Sequence, residues 1–235
     1  MLTLLREKQE EVLRAIDRFG VITSTQLIEF LKGRVSHVSV YNTKKKLVSL
    51  GLVEEEKIGY QLFLYIKPRG VDYLGSKLTA FTKINVSMLK HQLWMNDCLL
   101  AFKSIAEKKG QDFEFLTERE LRSNYLTQNF SSKDRQNTTL LKKVPDRIPD
   151  FVLIEKGKKV ACEVELTQKS AKRYREKFAR YKDEILNGEY DIVRYLCDDE
   201  QILRIVEEYA IAAGVEKSMF QRELIWRLLD IAQKE

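Results

Sequence analysis

The chain has 235 residues and a net charge of +6, from 41 lysines and arginines against 35 aspartates and glutamates. That length allows one large domain or two small ones with a sizeable core, and the three widely spaced cysteines (Cys98, Cys162, Cys197) point away from a disulfide framework or metal knuckle and toward reduced thiols in the cytoplasm. Charged residues follow the first five at once and no apolar run approaches the roughly 18 residues of a membrane span, so neither a signal peptide nor a membrane partner is expected.

The first periodic segment, "EKQEEVLRAIDRFG", repeats Val12, Leu13, Ile16 and Phe19 at helical spacing and stops at Gly20. "TSTQLIEFLKG" reads as a second helix, with Thr23, Ser24 or Thr25 as its cap, Leu27, Ile28 and Leu31 apolar, and Gly33 closing it. The third, "SHVSVYNTKKKLVSLG", turns Val40, Leu47 and Leu50 inward and ends at Gly51. "LVEEEKIGYQLFLYI" then changes to a strand pattern with its turn at Lys57–Tyr60. Three short helices and a hairpin describe a winged helix-turn-helix over residues 1–78, and "VSVYNTKKKLVSLGLVEEE" resembles the recognition helix and wing of winged-helix DNA-binding proteins.

Charge distribution sharpens this. Lys32 to Lys46 contains five basic residues and no acidic one, while acidic residues collect at Glu54–Glu56 and Asp198–Glu200. Segregated positive charge is what a phosphate-binding surface requires, so double-stranded DNA is the leading partner. The residues expected to meet it are Arg34, Ser36, Ser39, Asn42, Thr43, Lys44, Lys45 and Lys46, with Lys57 and Tyr60 from the wing turn. Ser39 and Asn42 suit base edges and the lysines suit phosphates. A solvated helix face, or a winged helix used for protein contact, is the alternative.

Further on, "NVSMLKHQLWMNDCLLAFKSIAEKKG" reads as a long helix, "DFEFL" as a strand and "TERELRSNY" as a short helix or turn. Some twenty residues without periodicity follow, carrying Lys133, Arg135, Lys142, Lys143 and Arg147; such a loop is often functional or mobile. Then come strand "DFVLI", turn "EKGKK", strand "VACEVEL", a helix from Gln168 to Leu186 and strand "DIVRYLC". The helix carries the stripe Ala171, Tyr174, Phe178, Tyr181, Ile185, and seven basic residues against Glu176 lie between Gln168 and Lys182. This is a mixed α/β sheet with helices packed on it. Two amphipathic helices are expected over 201–235, with Trp226 either in the core or anchoring a homodimer.

The order of these pieces around "PDFVLIEKGKKVACEVELTQKS" resembles the PD-(D/E)xK restriction-endonuclease-like fold. The same stretch, with "LKHQLWMNDCLLAF" and "ERELR", resembles more closely the plasmid replication-relaxation family, which pairs a winged helix with a Pro-Asp…Glu-x-acid segment. The expected class is therefore α+β: a winged helix-turn-helix over 1–78, a nuclease-like domain over 85–200, and C-terminal helices. The resemblance implies a plasmid or other mobile element, in replication or mobilisation, with replication or relaxosome proteins as partners.

Alternation in a strand puts Glu163 and Glu165 on one face and Cys162 and Val164 on the other, with Asp150 approaching from the neighbouring strand. Three such carboxylates repel, and Mg²⁺ held by Asp150 and Glu163 would relieve that and activate water. The resemblance to a nuclease calls for lysine where this chain has Glu165; Lys169 or Lys172 is the candidate substitute, and Asp97, Glu118 or Glu120 the candidate further acid. Three readings stay open. The motif is an endonuclease centre using Asp150, Glu163, Glu165 and Lys169, a non-cutting relative that binds DNA or a partner, or the wet face of a sheet. His37 and His91 are too few for a histidine metal site, and no phosphate-binding glycine loop is present.

Overall fold

Helix α1 (Glu7–Phe19) forms where the apolar spacing demands it and buries Val12, Leu13, Ile16 and Phe19. The computed structural model describes residues 4–234. Strand β1 (Val21–Thr23) follows, then α2 (Ser24–Leu31), whose cap is Thr23: its side chain accepts the Gln26 N–H at 3.1 Å. Helix α3 (His37–Ser49) is capped by Ser36. Strands β2 (Val53–Ile58) and β3 (Gln61–Ile66) pair antiparallel through the two-residue turn Gly59–Tyr60, with Gly59 at φ 60°. The short β1 adds to the far side of β3, giving the sheet order β1-β3-β2. A short α4 (Pro68–Leu74) comes next, with proline in its first turn.

The long helix α5 (Val86–Lys108) confirms its sequence pattern. The chain divides into two compact units, Met1–Leu100 and Ala101–Glu235, so the division falls inside α5 and not near residues 78–85. The reason lies in what the first part of α5 touches. Leu89 packs in a cluster with Val21, Phe63, Tyr65 and Ile84, and Asn96 donates to the Val21 carbonyl at 2.9 Å.

The second unit is built on a five-stranded sheet of order β4-β5-β6-β7-β8. Strands β4 (Glu114–Thr117), β5 (Phe151–Glu155) and β6 (Lys158–Glu165) pair antiparallel in that order, β4 with β5 and β5 with β6; β7 (Ile192–Cys197) and β8 (Phe220–Leu224) continue parallel to β6. Helix α6 (Glu118–Asn129) starts from a capping box of Thr117 and Glu120. The stretch expected to be irregular is a chain of short helical turns: Asp134–Gln136, α7 (Thr138–Leu141) and Val144–Arg147. Helices α8 (Ala171–Leu186) and α9 (Glu200–Ala212) cover one face of the sheet, with Tyr174, Phe178, Tyr181, Val206 and Ala210 in one cluster with Val193, Tyr195 and Cys197. All three cysteines are buried, and none forms a disulfide.

Two expectations for the tail change. Residues 201–235 are not helices alone: they supply edge strand β8 before α10 (Ile225–Lys234), so they complete the sheet. Trp226 is not core; it is 55% exposed beside the Arg227 guanidinium, while Ile225 and Leu228 take the inward positions. The chain is thus mixed α and β, and no helix among the described residues is long and apolar enough to cross a membrane.

Candidate functional site

Two polar regions, one in each unit, contain the residues singled out from the sequence. In the first unit they sit on α3. Its inward stripe is Val40, Thr43, Lys44 and Leu47, all buried. Thr43 was expected on the outer face and Lys44 among the DNA contacts, but positions 40, 43, 44 and 47 form one helical face, so the two must follow their apolar neighbours inward. Lys44 threads its stem through the core. Its ammonium is held by Glu55 on β2 and donates to Ser24 Oγ at 3.2 Å, tying α3 to two other elements.

The other expected contacts divide by exposure. Ser36 is exposed but its hydroxyl accepts the Ser39 N–H at 3.3 Å as the helix cap. Lys46 is half-buried and donates to Gln9 Oε1 at 2.9 Å. Arg34 pairs with Glu11 at 2.9 Å and donates to the Phe30 carbonyl at 3.1 Å. That leaves Asn42 and Lys45 fully outward on α3, with Ser39 half-exposed and His37 outward at the first helical position. Lys57 is exposed on the hairpin, and Tyr60 at its tip is wholly exposed.

Sequence reasoning missed Val38 and Tyr41, which are exposed on the same outer face. Tyr41 carries the Lys45 ammonium 4.5 Å from its ring centroid. Its signal was its position: Tyr41 and Lys45 are four apart on the face opposite the stripe. Tyr41 and Tyr60 also line a cavity of about 580 Å³ with Ser24, Gln26, Lys44 and Asp97. Asp97, a candidate acid, accepts from Gln26 Nε2 at 2.7 Å here, and burial raises its carboxyl pKa against that hydrogen bond.

In the second unit, β5 and β6 bring the Pro-Asp and Glu-x-Glu pieces together. Phe151 pairs with Cys162, so Asp150 stands across from Glu163, and its backbone N–H donates to the Cys162 carbonyl at 3.1 Å. The Asp150 carboxylate accepts the Val164 N–H at 2.7 Å, doing at the end of β5 what a strand carbonyl would do. Asp150 is therefore an end-piece of the ladder.

Glu163 and Glu165 share one face, as alternation requires, but that face is not wet. Ala161, Tyr195 and Cys197 lie on it under α8, and the two glutamates are 1% and 2% exposed. The opposite side, with Cys162 and Val164, is buried as well. Burying a carboxylate without a partner is costly, and each has one from the chain that follows. Glu163 accepts from Lys177 Nζ with one oxygen and from the Tyr181 hydroxyl with the other. Glu165 pairs with Lys169 Nζ at 3.0 Å.

The titration shifts record the same balance. Burial pushes the Glu165 carboxyl up, and Lys169 opposes it. Burial pulls the Lys169 ammonium down, while Glu165 and Glu163 more than reverse that, so its pKa ends raised. The Tyr181 phenol is driven well up by burial and then by Glu163. At the rim of the cluster, burial lifts Glu184 to about 7, although Arg180 stands 3.3 Å away and favours its charged form.

A divalent cation needs free carboxylate oxygens. Here both oxygens of Glu163 are taken by donors, Asp150 answers a backbone N–H and Glu165 an ammonium. Among the described residues no group of three or more His, Cys, Asp or Glu side chains is arranged to hold a metal ion. The arrangement does not fit Mg²⁺, and the expected three-carboxylate centre is an ion-paired network. Of the candidate fourth members, Lys169 joins it, Lys172 points outward, and Glu120 is spent capping α6. Lys177 and Tyr181 were the members not foreseen; their signal was an inward lysine flanking the Tyr174–Phe178–Tyr181 stripe.

No protein-family model matches the chain, and no curated protein matches it.

Proposed function

We propose that the chain is a DNA-binding protein of a plasmid or other mobile element, acting in replication, mobilisation or their regulation. In this reading the first unit is a winged helix-turn-helix and the second a nuclease-like domain that does not cut. The observation that carries it is the outer face of α3, where Asn42, Lys45 and Tyr41 are exposed on a helix whose other lysines are engaged internally. The element order, helix–strand–helix–helix–hairpin, supports the same reading.

Asn42 and Ser39 would meet base edges in the major groove, Lys45 a phosphate, and Lys57 with Tyr60 the backbone beside the hairpin. The mobile-element setting rests on the resemblance of "PDFVLIEKGKKVACEVELTQKS", "LKHQLWMNDCLLAF" and "ERELR" to replication-relaxation proteins, whose replication or relaxosome machinery supplies the partners. A duplex-binding titration tests it. Asn42→Ala with Lys45→Ala should weaken specific binding about tenfold or more and lower the salt slope by about 0.9 for the one lost phosphate contact. Unchanged affinity for every duplex tried would refute the assignment.

One observation favours a second reading. Asp150 stands opposite Glu163 across β5 and β6, the register an endonuclease of this kind would use. For Mg²⁺-dependent cleavage, Lys177 and Tyr181 would have to release Glu163.

A further inference from the structure

The helical turns before β5 are held in place from several sides. Arg122 donates to the Leu141 carbonyl at 3.5 Å and Arg135 to the Leu126 carbonyl at 3.2 Å. Val144 and Ile148 are buried as anchors. The last turn is clasped to α8: Asp146 Oδ1 accepts from Arg173 at 2.9 Å, and the Asp146 carbonyl accepts from Arg180. This ties the segment that carries Lys142, Lys143 and Arg147, all exposed, to α8, in whose first turn the Lys172 and Arg173 side chains are 79% and 57% exposed. The two acidic side chains of these stretches pair with the helix cations, Asp146 with Arg173 at 2.9 Å and Glu176 with Lys172 at 3.8 Å, so neither faces Lys142, Lys143 or Arg147 in an ion pair.

A run of lysines meant only for solubility needs no fixed backbone. Here three cations, Lys142, Lys143 and Arg147, stand on a backbone pinned to the helix that adds Lys172 and Arg173, so the ordering cost of binding a polyanion is largely met in the free protein. We propose that this ridge, Lys142–Lys143–Arg147 with Lys172 and Arg173, is a second nucleic-acid surface that grips the phosphate backbone of duplex DNA independently of α3. A duplex is the occupant because the ridge has charge but no aromatic side chain, whereas single strands are held by stacking on aromatic platforms. The ridge rests on the reading of the protein as a DNA binder, but it occupies the second unit and is removed by different substitutions.

The test is a salt titration of the full chain on a fluorescent mixed-sequence duplex. Lys142→Ala/Lys143→Ala/Arg147→Ala should lower affinity at least about tenfold and reduce the log–log salt slope by about 2.7, the amount for three lost phosphate contacts. A charge-matched control changes the far end of the β5–β6 hairpin, Lys156→Asn/Lys158→Ala/Lys159→Ala; asparagine tolerates the left-handed backbone at Lys156, φ 52°. An equal slope change in the control would mean bulk charge alone and overturn the ridge. Asn42→Ala/Lys45→Ala is titrated in parallel. Loss there with no loss in the ridge variant overturns the ridge alone, and the converse overturns the α3 assignment alone. A tighter single-strand affinity that vanishes in the ridge variant would overturn the duplex as occupant.

Discussion

The lysines of α3 and the glutamates of β6 are both short charge clusters in regular elements, and the fold treats them in opposite ways. On α3 one lysine of three, Lys44, is drawn fully inside, and Lys45 stays outside with its ammonium over the Tyr41 ring. On β6 both glutamates are inside, and every charge is answered by Lys169 or Lys177. Lys44 and Glu163 are thus the same kind of residue: a buried charge matched by a neighbouring element, which fixes how those elements pack. Lys45 is exposed and, among the described residues, joins no buried ion pair. The difference teaches that burial and partnering, more than residue type, separate a structural charge from a binding one.

The largest effect should come from breaking the β6 network. Glu163→Ala strands the Lys177 ammonium and the buried Tyr181 hydroxyl without their carboxylate, which should cost about 3–5 kcal/mol in urea unfolding. A loss under ~1 kcal/mol would mean that water already reaches the cluster. Next, Lys44→Ala should cost about 1–3 kcal/mol through lost stem packing and the abandoned Glu55, while Lys45→Ala stays within about 0.5 kcal/mol. Equal costs for the two lysines would erase the distinction drawn between them.

A smaller effect follows from Glu184. Its folded pKa of about 7 lies above the ordinary 4.5, because burial favours the neutral acid. The folded state therefore holds that proton more tightly than the unfolded chain. The contribution is complete below pH 4.5 and is lost as pH rises through 7. Partial solvent screening holds it to about 1–2 kcal/mol. Urea midpoints measured across this window should fall with pH, and Glu184→Gln should flatten that part of the curve.

Much of this fold was legible in the sequence where a signal is local. The stripes of α1, α8 and α9 and the hairpin of β2 and β3 are each carried by residues near one another in the chain. Strand β1 was not legible: it has three residues, and its partner β3 lies some forty positions on. Strand β8 hid inside a helix-like run, because Leu224 serves the strand and Ile225 begins α10. Thr43 and Lys44 were misplaced because polarity was read before helical position. The site was legible as a juxtaposition: Asp150 does face Glu163, and the two glutamates do share a face. What covers that face was not, since Lys177 and Tyr181 reach Glu163 from 14 and 18 residues away.

The most direct measurement is incubation of supercoiled and branched DNA with the purified chain and Mg²⁺ or Mn²⁺. With Glu163 held by Lys177 and Tyr181, Glu165 by Lys169 and Asp150 by a backbone N–H, the protein is expected to bind the DNA and leave it uncut. Cleavage that disappears in Asp150→Ala would contradict this and make the β5–β6 cluster a working nuclease centre.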